Sequence, residues 1–229
     1  MSAVGENIRR IREEIAEAAL RSGREPSEIR LMAVTKTVDD KRILEAIEAG
    51  VDIMGENYIQ EAKRKIEAMD VDVKWHMIGH LQSNKAKYAV RLFDMVHSVD
   101  RMGLAAELDK RSAAADRVTD ILVEVNVSGE ESKSGVRADD APALVREIAR
   151  LDNLSIRGLM TMPPWFDDPE DARPYCVALR ELKDRIAAEE IPGVEMRELS
   201  MGMSGDYRVA VEEGATIVRV GTAIFGARV

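Results

Sequence analysis

Lys36 closes an otherwise apolar run, Arg30-Leu-Met-Ala-Val-Thr-Lys36. A lysine in that place has two uses. It can lay its stem on the core and carry its ammonium to solvent. It can also serve as a nucleophile, because desolvation and nearby cations disfavour the ammonium and leave a neutral amine able to attack an aldehyde. A second group lies far along the chain, in Ser200-Met-Gly-Met-Ser204-Gly205-Asp206 and Arg219-Val-Gly221-Thr222. The hydroxyls of Ser204 and Thr222, beside Gly205 and Gly221, are the donors and close-approach positions that a phosphate requires. Asp206 is placed to cap the helix that follows. The same residues would also serve as two ordinary turns rich in Gly and Ser.

These groups lie far apart in the chain, and its elements must position them. Residues 4–21 repeat Val4, Ile8, Ile11, Ile15 and Ala19 on one helical stripe, ended at Ser22-Gly23. Eight strand-like runs follow, at 30–36, 51–55, 73–79, 95–99, 119–127, 154–162, 197–201 and 216–221, separated by helix-period segments. Gly50, Gly193 and Gly214 stand just before strands, where a turn needs positive φ. Strict alternation of strand and helix predicts parallel strands, and eight units predict a (β/α)8 barrel (a TIM barrel) with an extra N-terminal helix. A doubly wound open sheet is the competing architecture, but no Gly-x-Gly-x-x-Gly follows the first strand. No linker divides the chain, so one domain over 1–229 is expected.

In a barrel, chemistry gathers at the C-terminal strand ends, and the loops after strands seven and eight commonly hold phosphate. An amine after strand one facing such a cup describes a site for a phosphorylated aldehyde, of which pyridoxal 5′-phosphate (PLP) is the obvious example. Arg219 could then meet the pyridine nitrogen and leave it unprotonated, since arginine stays charged, only donates and cannot accept a proton. Equally, it could be half of a buried ion pair with Glu124 or Asp206. Asn57 could bond the ring hydroxyl of such a ligand, or cap the 57–69 helix. Parity places Lys36 with Val34 and Met32, Arg219 with Ile217, and Glu124 and Asn126 with Leu122, though period two does not say which face is which.

Several other residues read more plainly. His80 is expected to be a satisfied structural histidine rather than a pocket residue, and His76 and His97 structural as well. Met160, Met162, Met201 and Met203 read as barrel core, and Pro163-Pro-Trp-Phe166 as a lid or a cover for the barrel mouth. Lys133, in the loop 129–135, reads as a solvated charge. No His, Asp, Glu or Cys spacing suggests a metal site.

Composition narrows the classes. The 229 residues are 45% hydrophobic, enough for a packed core. Lys plus Arg number 33 against 42 Asp plus Glu, a net charge of −9 that argues against nucleic acid and anionic membranes as partners. A lone cysteine, Cys176, and an N-terminus without a secretory signal fit a cytoplasmic setting.

Together the stretches Ala33–Thr37, Gly55–Tyr58, His76–Lys85, Gly158–Met162, Leu199–Ser204 with Asp206, and Val218–Gly226 resemble the pyridoxal phosphate homeostasis protein family. The resemblance implies a barrel like the N-terminal domain of alanine racemase (fold-type III), with PLP held as a Schiff base on Lys36. It further implies phosphate contacts from Ser204, Gly221 and Thr222, and a pyridine-nitrogen contact from Arg219. The family is regarded as non-enzymatic, a monomer that affects vitamin B6 balance, with apo forms of PLP-dependent enzymes as conceivable recipients. Racemisation needs proton donors on both faces of the substrate. In alanine racemase a tyrosine from a second domain supplies one, and a chain ending at Val229 is expected to lack it; no catalytic residue is assigned. The rival readings are a small PLP-dependent amino-acid racemase, a Schiff-base aldolase acting on a phosphorylated sugar, and a pure interaction protein.

Overall fold

A computed structural model describes residues 2–130 and 133–226. Glu131 and Ser132, within the loop read above around Lys133, lie outside the described residues, as does Val229.

Eight parallel strands form the wall: β1 (Arg30–Val34), β2 (Ile53–Glu56), β3 (Lys74–Met77), β4 (Met95–Val99), β5 (Thr119–Asn126), β7 (Leu154–Met160), β8 (Val194–Ser200) and β9 (Ile217–Val220). A two-residue strand, β6 (Val136–Arg137), adds to the edge of β5. The neighbours run β4-β3-β2-β1-β9-β8-β7-β5, and β4 pairs with β5 through Met95↔Asp120 and Val96↔Ile121. That pairing closes the sheet, which settles the choice between barrel and open sheet.

The helices α2 (Asp40–Glu48), α3 (Ile59–Ala68), α4 (Ala86–Leu92), α5 (Met102–Ala113), α6 (Ala141–Ile148), α7 (Arg173–Ala187) and α8 (Tyr207–Glu212) each follow a barrel strand. The last unit has only α9 (Thr222–Phe225). The opening helix α1 (Ala3–Arg21) makes up for it by packing on α8, α9 and α2. Its buried stripe is the one periodicity predicts, Val4, Ile8, Ile11, Ile15 and Ala19. Asn7 Nδ2 donates to Ile224 O at 2.9 Å, and Arg12 donates to Ala49 O and Gly50 O at the end of α2. Gly23, Gly50, Gly193 and Gly214 all take positive φ, as turns leaving helices require.

The wall separates two cores. Leu31, Ala33, Val96, Val123 and Val218 face the helices in one large cluster. Met32, Ile53, Ile78 and Ile217, with Val34 against them, fill one side of the barrel interior; Met95, Leu122 and Met160 fill another. Parity therefore resolves: the face shared by Met32, Val34 and Lys36 is the inner one.

Candidate functional site

A cavity of about 270 Å³ opens at the C-terminal strand ends. Its wall includes Lys36, Asn57, Ser204, Arg219, Gly221 and Thr222, six residues drawn from the ends of four strands. Val34 and Ile78 form an apolar floor, and Met162 and Trp165 stand at the rim. A wider groove of about 630 Å³ lies outside the helix ring between α1 and α2. Of its two arginines, Arg12 already donates to the Ala49 and Gly50 carbonyls at the end of α2, and Arg9 pairs with Glu13.

Each element places its side chain for a local reason. Lys36 leaves β1 on the inner parity, in a turn where the next residue, Thr37, takes φ 62°. Asn57 follows β2 directly. It does not cap a helix, because Tyr58 holds that position for α3. A Cβ on Gly79 would stand 2.5 Å from Asn57 O, so only glycine lets the end of β3 press Asn57 toward the cavity. Asn57 Oδ1 is buried and has no hydrogen-bond partner among the described residues. Ser204 Oγ accepts from Gly221 N–H and Ala223 N–H, both at 3.2 Å, and so ties the loop after β8 to the loop after β9. A Cβ on Gly205 would meet nothing within 4 Å, and one on Gly221 would make only ordinary contact with Val34. The chain's own packing therefore does not demand glycine at either place, and both leave room at the rim for a ligand.

Arg219 is 3% exposed and does not form an ion pair among the described residues. Glu124 and Asp206 act on it only through their fields. Its guanidinium donates to Ser200 Oγ and to Thr161 O, each at 2.7 Å. Burial lowers its pKa to about 10, so it stays a cation at neutral pH. Behind it runs a buried relay: Ser200 Oγ to His97 Nδ1 at 2.9 Å, and His97 Nε2 to His76 Nδ1 at 2.9 Å. Arginine only donates, so Ser200 accepts from it and passes its own proton to His97 Nδ1; His97 then donates from Nε2 to His76. Burial keeps both rings neutral, pushing His76 down to about 3 and His97 well below its ordinary value. Both histidines are thus structural, as expected, but they line the barrel interior and end under Arg219. Their parity with Met95 on the inner face was the available signal.

Other expectations need correction. Asp206 occupies the N-cap position of α8 without bonding that helix; its carboxylate turns back to accept from Met203 N–H at 2.5 Å. His80 is exposed and does not line the cavity. Met160 and Met201 are core, but Met162 is 48% exposed and, like Met203, lines the cavity. Trp165, 77% exposed, stands at the cavity mouth, while Phe166 stacks on Tyr175. Lys133 is half-buried, near Glu130. Sequence reading also missed the buried Lys65–Glu56 pair, at 2.6 Å with both side chains 0% exposed. The spacing Ile59, Ala62, Lys65 put a lysine on an apolar helix stripe, and that was the signal.

Among the described residues no cluster of three His, Cys, Asp or Glu could hold a metal ion, and no helix is long and apolar enough to cross a membrane. Burial pushes the Cys176 thiol up to about 12, leaving it unreactive.

A closed parallel barrel with an amine on one strand end, and hydroxyls and glycines on two others, defines a (β/α)8 barrel of the alanine racemase type. The chain belongs to the family of the alanine racemase N-terminal domain, whose profile matches residues 1–229, and within it to the pyridoxal phosphate homeostasis proteins. A relative of that name from Aquifex aeolicus is 45% identical over 224 residues, 97% of each chain. The solved structure of PipY from Synechococcus elongatus with PLP bound superposes with a TM-score of 0.81 at 36% identity, over 93% of this chain and 100% of that one. An alanine racemase from Clostridium difficile shares the fold, with a TM-score of 0.74 at 12% identity over 97% of this chain and 57% of that one.

Proposed function

We propose that the chain binds PLP, holds it through Lys36 and takes part in PLP homeostasis without catalysing a reaction of its own. The observation that carries the reading is the meeting of Lys36, Arg219 and the Ser204–Gly221–Thr222 rim in one cavity. The PLP-bound PipY and the name shared by the relatives support the same ligand.

The residues present fit that group. Asn57 Oδ1 lacks a partner among the described residues, and a ring hydroxyl would supply one. Arg219 offers a fixed cation to the pyridine nitrogen, and the Ser204 and Thr222 hydroxyls offer donors to a phosphate. PLP would supply an aldehyde, and Lys36 would offer it an amine; condensation of the two would release one water. With Arg219 at the ring nitrogen, that nitrogen would stay unprotonated, and a bound PLP ring would be a weaker electron sink for carbanion chemistry. Among the described residues no tyrosine lines the cavity: Tyr58 and Tyr88 are exposed, Tyr175 stacks on Phe166 and Tyr207 bonds Glu14. That supports a carrier over a racemase, since racemisation needs a proton donor on each face of the substrate. The cavity opens at the barrel mouth, an arrangement suited to a protein that yields PLP to apoenzymes.

The test is borohydride reduction of the PLP-treated protein followed by peptide mapping. The expected product is one reduced adduct on the peptide carrying Lys36, absent in Lys36→Ala. An adduct mapped mainly to any other lysine overturns the assignment. Turnover of an amino acid above that of free PLP would overturn the non-catalytic part.

A further inference from the structure

Lys65 sits on α3, fully buried on the stripe that Ile59 and Ala62 share. Its ammonium has three acceptors: Thr35 O at 2.6 Å, Glu56 Oε1 at 2.6 Å and Glu61 Oε1 at 2.7 Å. Each acceptor leads to the same place. Glu56 Oε1 also accepts from the Thr35 hydroxyl at 2.7 Å. Glu61 Oε1 also accepts from Thr37 N–H at 2.6 Å. The Thr35 carbonyl belongs to the peptide unit before Lys36, and the Thr37 N–H to the unit after it. Those two planes are the ones whose rotations define φ and ψ of Lys36. One buried cluster thus grips the backbone on both sides of the Lys36 Cα.

Stability alone gives a poor account of this cluster. A buried ion pair is often no better than apolar residues of the same volume, because desolvating the charges offsets their attraction. Glu56 shows that penalty: burial pushes its carboxyl up against the hydrogen bonds of Lys65 and Thr35, and its Oε2 has no partner among the described residues. Thr37 adds strain, because a β-branched residue at φ 62° is uncommon and must be held there. Its N–H bond to Glu61 is the restraint at that point. What the cluster does hold is the backbone on both sides of one residue.

We propose that Lys65 is a positioning residue that, through Glu56 and Glu61, fixes the backbone of Lys36 so that its amine points into the cavity. The inference rests on Lys36 being the PLP-bearing amine, and it adds what holds that amine in place. Lys65 itself touches no ligand and carries none of the chemistry.

The test uses the whole chain, with PLP as the probe, in Lys65→Met and in Glu61→Ala, whose side chain is 22% exposed and therefore tolerant of change. In the PLP-free protein, amide exchange at Thr37 is expected to quicken at least tenfold in Lys65→Met while the amides of β1 stay protected. PLP affinity, read by titration and by the borohydride-fixed Lys36 adduct, is expected to fall at least tenfold in Lys65→Met and in the same direction in Glu61→Ala. A purely structural Lys65 would lower the urea midpoint and leave the folded variant with the parent's affinity and the parent's pH profile of the bound chromophore; that result overturns the proposal. If Lys65→Met does not fold, unchanged affinity in Glu61→Ala overturns it instead. Should the parent fix no adduct on Lys36, the functional reading fails separately, and exchange at Thr37 still decides whether the clamp exists.

Discussion

Glu124 shows how one residue's surroundings set its behaviour. It lies two residues before the end of β5 on the inner face, 6% exposed, and burial pushes its carboxyl up to about 7, with Asp100 adding repulsion against the attraction of Arg219. Between pH 4.5 and 7 the folded chain therefore holds more protons at Glu124 than the unfolded chain does, so this residue's contribution to stability falls as pH rises through that window. The full difference is up to about 3 kcal/mol. Glu124→Gln is expected to remove that fall, so that urea midpoints at pH 5 and pH 8 differ less than in the parent. His76 acts in the opposite sense: with its pKa near 3, the unfolded chain binds more protons below pH 6.5, and stability declines on acidification. At this scale the sequence was legible where a residue type was unusual for its place. Lys36 ended an apolar strand and Arg219 interrupted one, and both line the cavity. It was illegible where the partner came from a distant strand. Nothing near Arg219 announces that Ser200, His97 and His76 would line up behind it across the barrel.

Among the elements, the turns after strands decide where site residues stand. Gly79 is the clearest case, since any Cβ there would run into the backbone of Asn57 at 2.5 Å. Gly79→Ala forces the end of β3 and the start of α3 apart, and the overpacking is expected to cost about 1–3 kcal/mol. Chemical denaturation checks that loss, and PLP titration should show weaker binding because Asn57 has moved; full retention of both would contradict this account of the loop. Alternation of apolar runs located all eight barrel strands, because strands buried on both faces leave continuous hydrophobic signatures. Caps were harder to read. Asp206 and Asn57 each had the right type for an N-cap, yet one bonds Met203 N–H and the other lies one residue outside the cap. Short polar side chains have several backbone partners within reach, and the tertiary setting chooses among them.

For the molecule as a whole, α1 is the piece that joins beginning to end. It stands where the four-residue α9 leaves the helix ring thin, and Ile11 on its stripe is fully buried. Ile11→Ala is expected to destabilise the protein by about 2–5 kcal/mol. Native-state hydrogen exchange should then show α8 losing protection together with α1; loss confined to α1 would mean the two are not one cooperative unit. The strand count predicted the barrel, but no local pattern could say that α1 would fill the eighth helix's place, since that depends on a neighbour more than 200 residues away: Asn7 bonds Ile224 across 217 positions. The same bond has a bearing on how the protein is made. A ribosome adding roughly 5–20 residues per second needs on the order of 10–40 s to reach the segment that α1 packs against. Throughout that interval the part of the isoleucine stripe that packs on α8 and α9 is synthesised without its partners, so the nascent chain carries apolar surface that holdase chaperones would be suited to shield.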